Sequence, residues 1–540
     1  MLKWVGQNRV RALGVVLAFA LPSAAAAQEA RLLTVDSSSP LLEVKVSVKA
    51  GSALDPEGLE GLGYLTARLL LEGGYGDPKK PVTKEQLAEI TRPWGEGAYP
   101  RVRVAKEIVT FSFTIPRQVF TDYLARVFRP MFKQPLFAPA ELDRVRKETL
   151  EEIRSNLRFE QIELLGLLAL DNVIHDGTSY GPPALGTVQG LEKVTPEAVR
   201  RFYGTWYRPD NLAIAVSTKD PPIAGSLRNV LDEVGQNNGD LEPFPPGEVE
   251  PPAAVKGRHV TIIGLPGAIA TGLHAGFPIP VTRQYADYWP LYVANVWFGT
   301  HRDSFSRLYQ VIREERGYNY GDYSYIEHFD GRPFNLFPPT NTPRRYPYFS
   351  IWIRPVANEY AHHLLKAMTW ELENFVRTGL TDEQVEAAKN KARVLYLSLA
   401  ENVDRLVGYK LDDEFYGLAP GYLDQYLARI DAVTTESVNK AIREYLQAEN
   451  LEYVIITDER LAQTLADDIA NDRNAHGKSP QEYQIDSEER DGVKYWLLNE
   501  TRLKILQQDA AWNAYRLDVP RSNIRVVKAA EMFETAAMPR

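Results

Sequence analysis

Two stretches of this chain, 239 residues apart, are written in one pattern. Val194-Thr195-Pro196-Glu197 opens a helix with Thr195 placed to cap it, and Asn211-Leu212 then leads into a strand from Ala213 to Ser217 that ends at Thr218. Val433-Thr434-Thr435-Glu436 opens a second helix, and Asn450-Leu451 leads into a strand from Glu452 to Ile456 that ends at Thr457. The spacing is kept without a gap. A further match, Phe137 to Leu142 with Leu380 to Val385, lies at an offset of 243. One shared cap is a common local pattern. Two matches in the same order at nearly the same offset indicate a duplicated domain. Between the copies, Glu242 to Gly257 carries Pro243, Pro245, Pro246, Pro251 and Pro252. Proline removes backbone donors and fixes φ, so neither a helix nor a central strand runs through it.

Within the first copy, Leu42 to Val48 alternates as a strand, Gly61 to Leu71 has helical spacing, Val102 to Ile115 alternates again and Glu141 to Leu157 is helical. The fold class expected is α+β: two homologous domains, each a largely antiparallel sheet packed with helices. The divisions expected are 1–27, an export signal; 28–241, the N-terminal domain; 242–257, the linker; 258–460, the C-terminal domain; and 461–540, an extension whose Trp496, Trp512 and Phe533 suit docking on the body. Lys3, Arg9 and Arg11 precede an apolar run from Leu13 to Leu21 and the small residues Ala25 to Ala27, which predicts cleavage after Ala27 and a periplasmic protein. Cleavage would take the net charge from −9 to −12, which argues against a nucleic-acid partner. No later run reaches the ~18 apolar residues of a membrane span. The chain has no cysteine, which removes disulfides, thiolate metal sites and cysteine nucleophiles.

Spacing alone offers no catalytic set. None of the eight histidines stands four residues from another, the arrangement that puts two imidazoles on one helix face. His362 and His363 point in different directions on a helix and read as the border of an apolar face. His175 and Ser179 lie close in HDGTSYG, but with no placed acid the segment reads as a polar turn.

Three segments resemble a family. Gly61 to Gly73, GLGYLTARLLLEG, resembles the zinc helix of insulinase/pitrilysin peptidases, G-x-x-H-x-x-E-H-x-x-x-x-G. Two His ligands and the Glu that activates water are replaced by Tyr64, Arg68 and Ala67. A methyl group is no base, and a fixed guanidinium repels a cation. The family's third ligand, a glutamate on a later helix, corresponds to Glu152 in Leu150-Glu151-Glu152-Ile153. The resemblance thus implies a degenerate site with no metal of its own. Arg68 is expected to take the metal's place and pair with Glu152; otherwise Arg68 faces solvent and Glu152 is an ordinary helix carboxylate. Next, Gly97-Ala98-Tyr99-Pro100-Arg101 stands where active relatives begin a substrate-pairing strand with G-x-x-N-A, and Pro100 lacks the amide such pairing uses. Finally, Ser306 to Tyr320 resembles the family's S-x-L-x-x-x-x-R-x-x-x-G-x-x-Y stretch and matches Arg313 and Tyr320 to its paired Arg and Tyr. Such a pair donates hydrogen bonds to a substrate carbonyl or its developing oxyanion at a zinc site in another domain or subunit. Asp176 to Gly181, followed by Gly186-Thr187, is similar to the loop before the family's G-T segment.

The resemblance spans about Leu32 to Asp458. It implies half of a clam-like chamber: an auxiliary, zinc-less subunit of a heterodimeric periplasmic peptidase, inactive alone. Arg313 and Tyr320 would serve peptide hydrolysis at the zinc of a homologous H-x-x-E-H partner. The alternative is an inert pseudopeptidase acting as scaffold or peptide-binding protein.

Overall fold

The computed structural model describes residues 29–235, 242–245, 247, 249–328, 339–419, 421–479, 482–483, 487–496 and 500–539. The expected export signal, Pro246 of the linker and the side chain of Trp496 lie outside the described residues.

Two sheets repeat one topology. The first contains β1 (Arg31–Val35), β2 (Leu41–Val48), β3 (Arg101–Val104), β4 (Val109–Pro116) and β5 (Leu212–Ser217), in the spatial order β1-β5-β2-β4-β3. The second contains β6 (Arg258–Leu265), β7 (Ala270–Pro278), β8 (Asp322–Tyr325), β9 (Tyr348–Ala357) and β10 (Leu451–Asp458), in the order β6-β10-β7-β9-β8. Strand for strand, the two orders are the same. The parallel pairs β1/β5 and β6/β10 also correspond, and the remaining pairs of these ten strands are antiparallel. A further strand, β11 (Ile524–Lys528), lies parallel beside β6.

The first half supplies helices α1 (Leu62–Glu72), α2 (Pro139–Glu151), α3 (Ile162–Ile174) and α4 (Pro196–Trp206). The second supplies α5 (Tyr288–Gly299), α6 (Ala361–Thr378), α7 (Asp382–Ala400), α8 (Val403–Tyr416) and α9 (Thr435–Tyr445). The matched caps do the same work: Thr195 accepts the Ala198 N–H at the start of α4, and Thr434 accepts the Ser437 N–H at the start of α9. The helix read as Glu141 to Leu157 changes character partway. After Glu151 it continues to Glu160 with π-type hydrogen bonding.

The halves exchange helices. α3 packs on β7 and β10 of the second sheet, while α8 packs on β1, β2 and β5 of the first. These two helices begin 241 residues apart, at Ile162 and Val403. α3 is apolar around most of its circumference because it lies between layers, and its Leu165, Leu170 and Ile174 share one buried cluster with Val454 and Ile456. Close approach needs Gly166: a Cβ there would lie 2.2 Å from the His274 ring on β7. Charge follows the exchange. Asp171 on α3 takes a forked pair of bonds from Arg344 (2.7 and 2.8 Å), and Asp412, 241 residues later on α8, takes one from Arg283 (3.2 Å) and the N–H of Asn341 (3.0 Å).

The chain after residue 500 runs through a helix at Glu500–Ala514, whose Trp512 is fully buried in the second core, and then adds β11. It ends against the first half, where Arg158 donates to the Met532 carbonyl (2.8 Å) and Val188 donates to that of Phe533 (3.0 Å).

Candidate functional site

Helix α1 starts at Gly61, whose φ of +106° lies in the left-handed region. The Asp55 carboxylate accepts the N–H groups of Gly61 and Gly63, both at 2.7 Å, and so supplies the cap that a glycine cannot. The face that would carry a metal points at α2. On it Ala67 is completely buried, Tyr64 is half-buried and the Arg68 side chain is 17% exposed.

Arg68 does not pair with Glu152. Its guanidinium bonds Glu72 on its own helix (2.8 Å), Glu148 on α2 (2.8 Å) and the Thr149 hydroxyl (3.4 Å). Glu72 also receives Lys84 (2.7 Å) and Arg144 (3.4 Å), and Arg144 reaches Glu148 and Glu141, both at 2.8 Å. Glu72 and Glu148 lie within a turn of Arg68's reach. Glu152 sits one turn farther along, where the π-type segment begins, and accepts from Asn156 (2.7 Å). It remains close enough to Tyr64 for its charge, after burial, to help push the phenol's pKa up. Burial alone would raise the Glu72 carboxyl, but the hydrogen bond from Lys84 and the charge of Arg68 outweigh it and hold the group below its ordinary value. Three cations and three carboxylates thus satisfy one another where a divalent ion would need free ligands. Zinc does not fit here, since the carboxylates are spent on cations and Ala67 offers no base.

Arg313 lies on a π-type turn, Tyr309–Glu314, with its guanidinium 4.8 Å from the Tyr309 ring centroid and paired with Glu314. The turn ends at Gly317, in left-handed conformation at φ +61°. The next strand begins at Asp322, after Gly321, which takes a φ of +157° beside the Tyr323 hydroxyl. Tyr320 therefore stands in the loop, 79% exposed, and among the described residues its hydroxyl has no hydrogen-bond partner. Burial holds the neighbouring Asp322 carboxyl well above its ordinary value, against the opposing charges of Arg313 and Arg354. No bond or ion pair among the described residues joins Arg313 or Tyr320 to Tyr64, Arg68 or Glu152. The face of α1 with Tyr64 and Arg68 is closed by ion pairs, whereas Tyr320 stands exposed.

The other candidates are structural. His175 bonds Asp171 and the Tyr346 carbonyl, not Ser179. His362 and His363 turn apart, to the Arg473 carbonyl and the Asn513 amide oxygen. β3 is an edge strand that begins directly after Pro100. No group of three or more His, Asp or Glu side chains among the described residues is arranged to hold a metal ion.

A family model described as "Peptidase M16 inactive domain" matches residues 193–392. An uncharacterized zinc protease of Streptomyces coelicolor is 26% identical over 273 residues, 50% of this chain and 55% of that protein, so the chain spans about half the length of the curated relative it matches. The fold is shared with the peptidase M16 inactive domain from Pseudomonas fluorescens, at a TM-score of 0.67 and 21% identity over 80% of this chain and 96% of that one. It is also shared with a protease from Helicobacter pylori, at 0.65 and 14% over 79% and 98%. Residues 193–392 are similar to the M16 inactive domain. The stretch matched to the M16 inactive domain includes Arg313 and Tyr320, and the lack of a metal-ligand group among the described residues fits a zinc-less chain. Sequence reasoning missed Glu72, Lys84, Arg144 and Glu148. Their signal was present in the four-residue spacings of Arg68 with Glu72 and of Arg144 with Glu148.

Proposed function

We propose that this chain is the zinc-less subunit of a two-subunit periplasmic peptidase, and that Arg313 and Tyr320 serve a zinc site carried by a homologous partner. The observation that carries the reading is the contrast between the two sites. The helix that would bind metal is filled by its own ion pairs, whereas the Tyr320 phenol stands exposed with its donor unused. A phenol and a guanidinium can both donate hydrogen bonds to a substrate carbonyl and stabilise the negative charge that develops on it. The two homologous halves supply one wall of a chamber, which restricts the substrate to peptides or unfolded segments.

The test mixes the purified chain with an exported homologue that carries H-x-x-E-H and follows cleavage of a quenched fluorescent peptide. Removing one oxyanion donor typically costs on the order of 10²–10³ in kcat, and Arg313→Ala should lower turnover of the complex on that scale. Tyr320→Phe should also lower it while leaving assembly intact. If both variants support full hydrolysis, the role assigned to the pair is wrong and an inert scaffold is the better description.

A further inference from the structure

The face of the second sheet that α3 covers does not end where α3 ends. Val454 and Ile456 lie under the helix, and Ile263 and Val527 on the same face share its buried cluster. Two residues back along each strand the same face turns polar, with Glu452 on β10, Thr261 and His259 on β6, and Arg525 on β11. These residues line a cleft of about 680 Å³, closed on one side by Ile174 and Asp176 at the end of α3 and on another by linker residues 253–256. That volume is within the range of small-molecule sites.

Opposite charges line this cleft without an ion pair between them among the described residues. Arg525 spends its Nε on the Thr261 hydroxyl (2.8 Å), and its terminal nitrogens have no partner among the described residues. Glu452 has neither a hydrogen bond nor an ion pair among them. Burial raises its pKa to about 7, with Asp176 adding to the rise against His259 and Arg525. Glu452 is level with His259 and Arg525 with Thr261, two strands and two residues apart. Strand spacings of about 4.8 Å and a rise of about 3.3 Å per residue separate their Cα atoms by roughly 12 Å. A sheet that places a carboxylate and a guanidinium across a cleft, and spends neither on the other, leaves each for a ligand of opposite charge.

We infer that this cleft binds a small zwitterion, a free amino acid or a short peptide, with its ammonium on Glu452 and its carboxylate on Arg525. Asp176 reinforces the ammonium end. A di- or tripeptide spans the gap that the two side chains leave.

Isothermal titration of the full chain alone, with glycine, diglycine and triglycine at neutral pH, tests this. At least one member of the series should bind saturably. The same peptide acetylated at one end and amidated at the other should not. Glu452→Gln and Arg525→Gln should each weaken binding tenfold or more, with circular dichroism reporting that each variant is folded; where one fails to fold, the other carries the test. Absence of saturable binding to the wild type by all three probes overturns the assignment, as does an affinity unchanged in a folded variant. The chain is used without any partner subunit, so the result is independent of the function proposed above.

Discussion

Arg68 illustrates how a lost catalytic residue becomes a structural one. A guanidinium forced onto a largely buried helix face needs carboxylates. It takes the two nearest, one on its own helix and one across the packing interface. Double-mutant cycles should therefore give a coupling of about 0.5–1 kcal/mol between Arg68 and Glu72, and a value near zero between Arg68 and Glu152. A coupling confined to Glu152 would contradict the arrangement. The pH dependence follows from Glu72. Its folded pKa lies below its unfolded value, so its contribution is fully present above the ordinary carboxylate range and is lost as pH falls through the depressed value. The Arg68–Glu72 coupling measured by urea unfolding should persist from pH 7 to 5 and fade below about pH 4.

Among the elements, α3 shows the tightest constraint. It is a leucine-rich helix with a glycine at its centre, where a helix former would ordinarily be favoured by about 1 kcal/mol. The His274 imidazole occupies the space a side chain would need, stacked on Trp352, and burial lowers its pKa to about 3, so it is neutral there. Gly166→Ala should therefore destabilise by about 1–3 kcal/mol through overpacking, despite the gain in helix propensity. Trimming the ring in the same background, with His274→Ala, should recover part of that loss in chemical denaturation. A stabilising Gly166→Ala would mean that α3 does not sit this close to the second sheet.

For the whole molecule the helix exchange is decisive. Each sheet relies on the other half's helix for cover, and the Asp171–Arg344 fork joins the halves in a buried setting. Burial would raise the Asp171 carboxyl, but Arg344 and Lys106 outweigh it and hold it well below the usual range, so the aspartate is charged. Arg344→Met should cost about 3 kcal/mol, because it removes the buried fork and leaves Asp171 with Lys106 as its cation. Calorimetry should show one transition, with both halves unfolding together. Two separated transitions would refute the interdependence. Local pattern was sufficient to reveal the duplication and the caps at Thr195 and Thr434, because caps and periodicity are carried by neighbouring residues; the helix with Tyr64, Ala67 and Arg68 and the Arg313–Tyr320 stretch were legible only through a family resemblance. Partners across the fold were not legible. Lys45 shows why: it alternates with Val44 and Val46 as a solvent-facing residue would, yet it is 5% exposed and pairs with Asp404 at 3.0 Å, because α8 from the other half lies over that face. Alternation records that a strand has two faces. Whether the polar face meets water, a helix from 360 residues away or an ion-pair partner depends on how distant elements dock, and only the tertiary structure decides that.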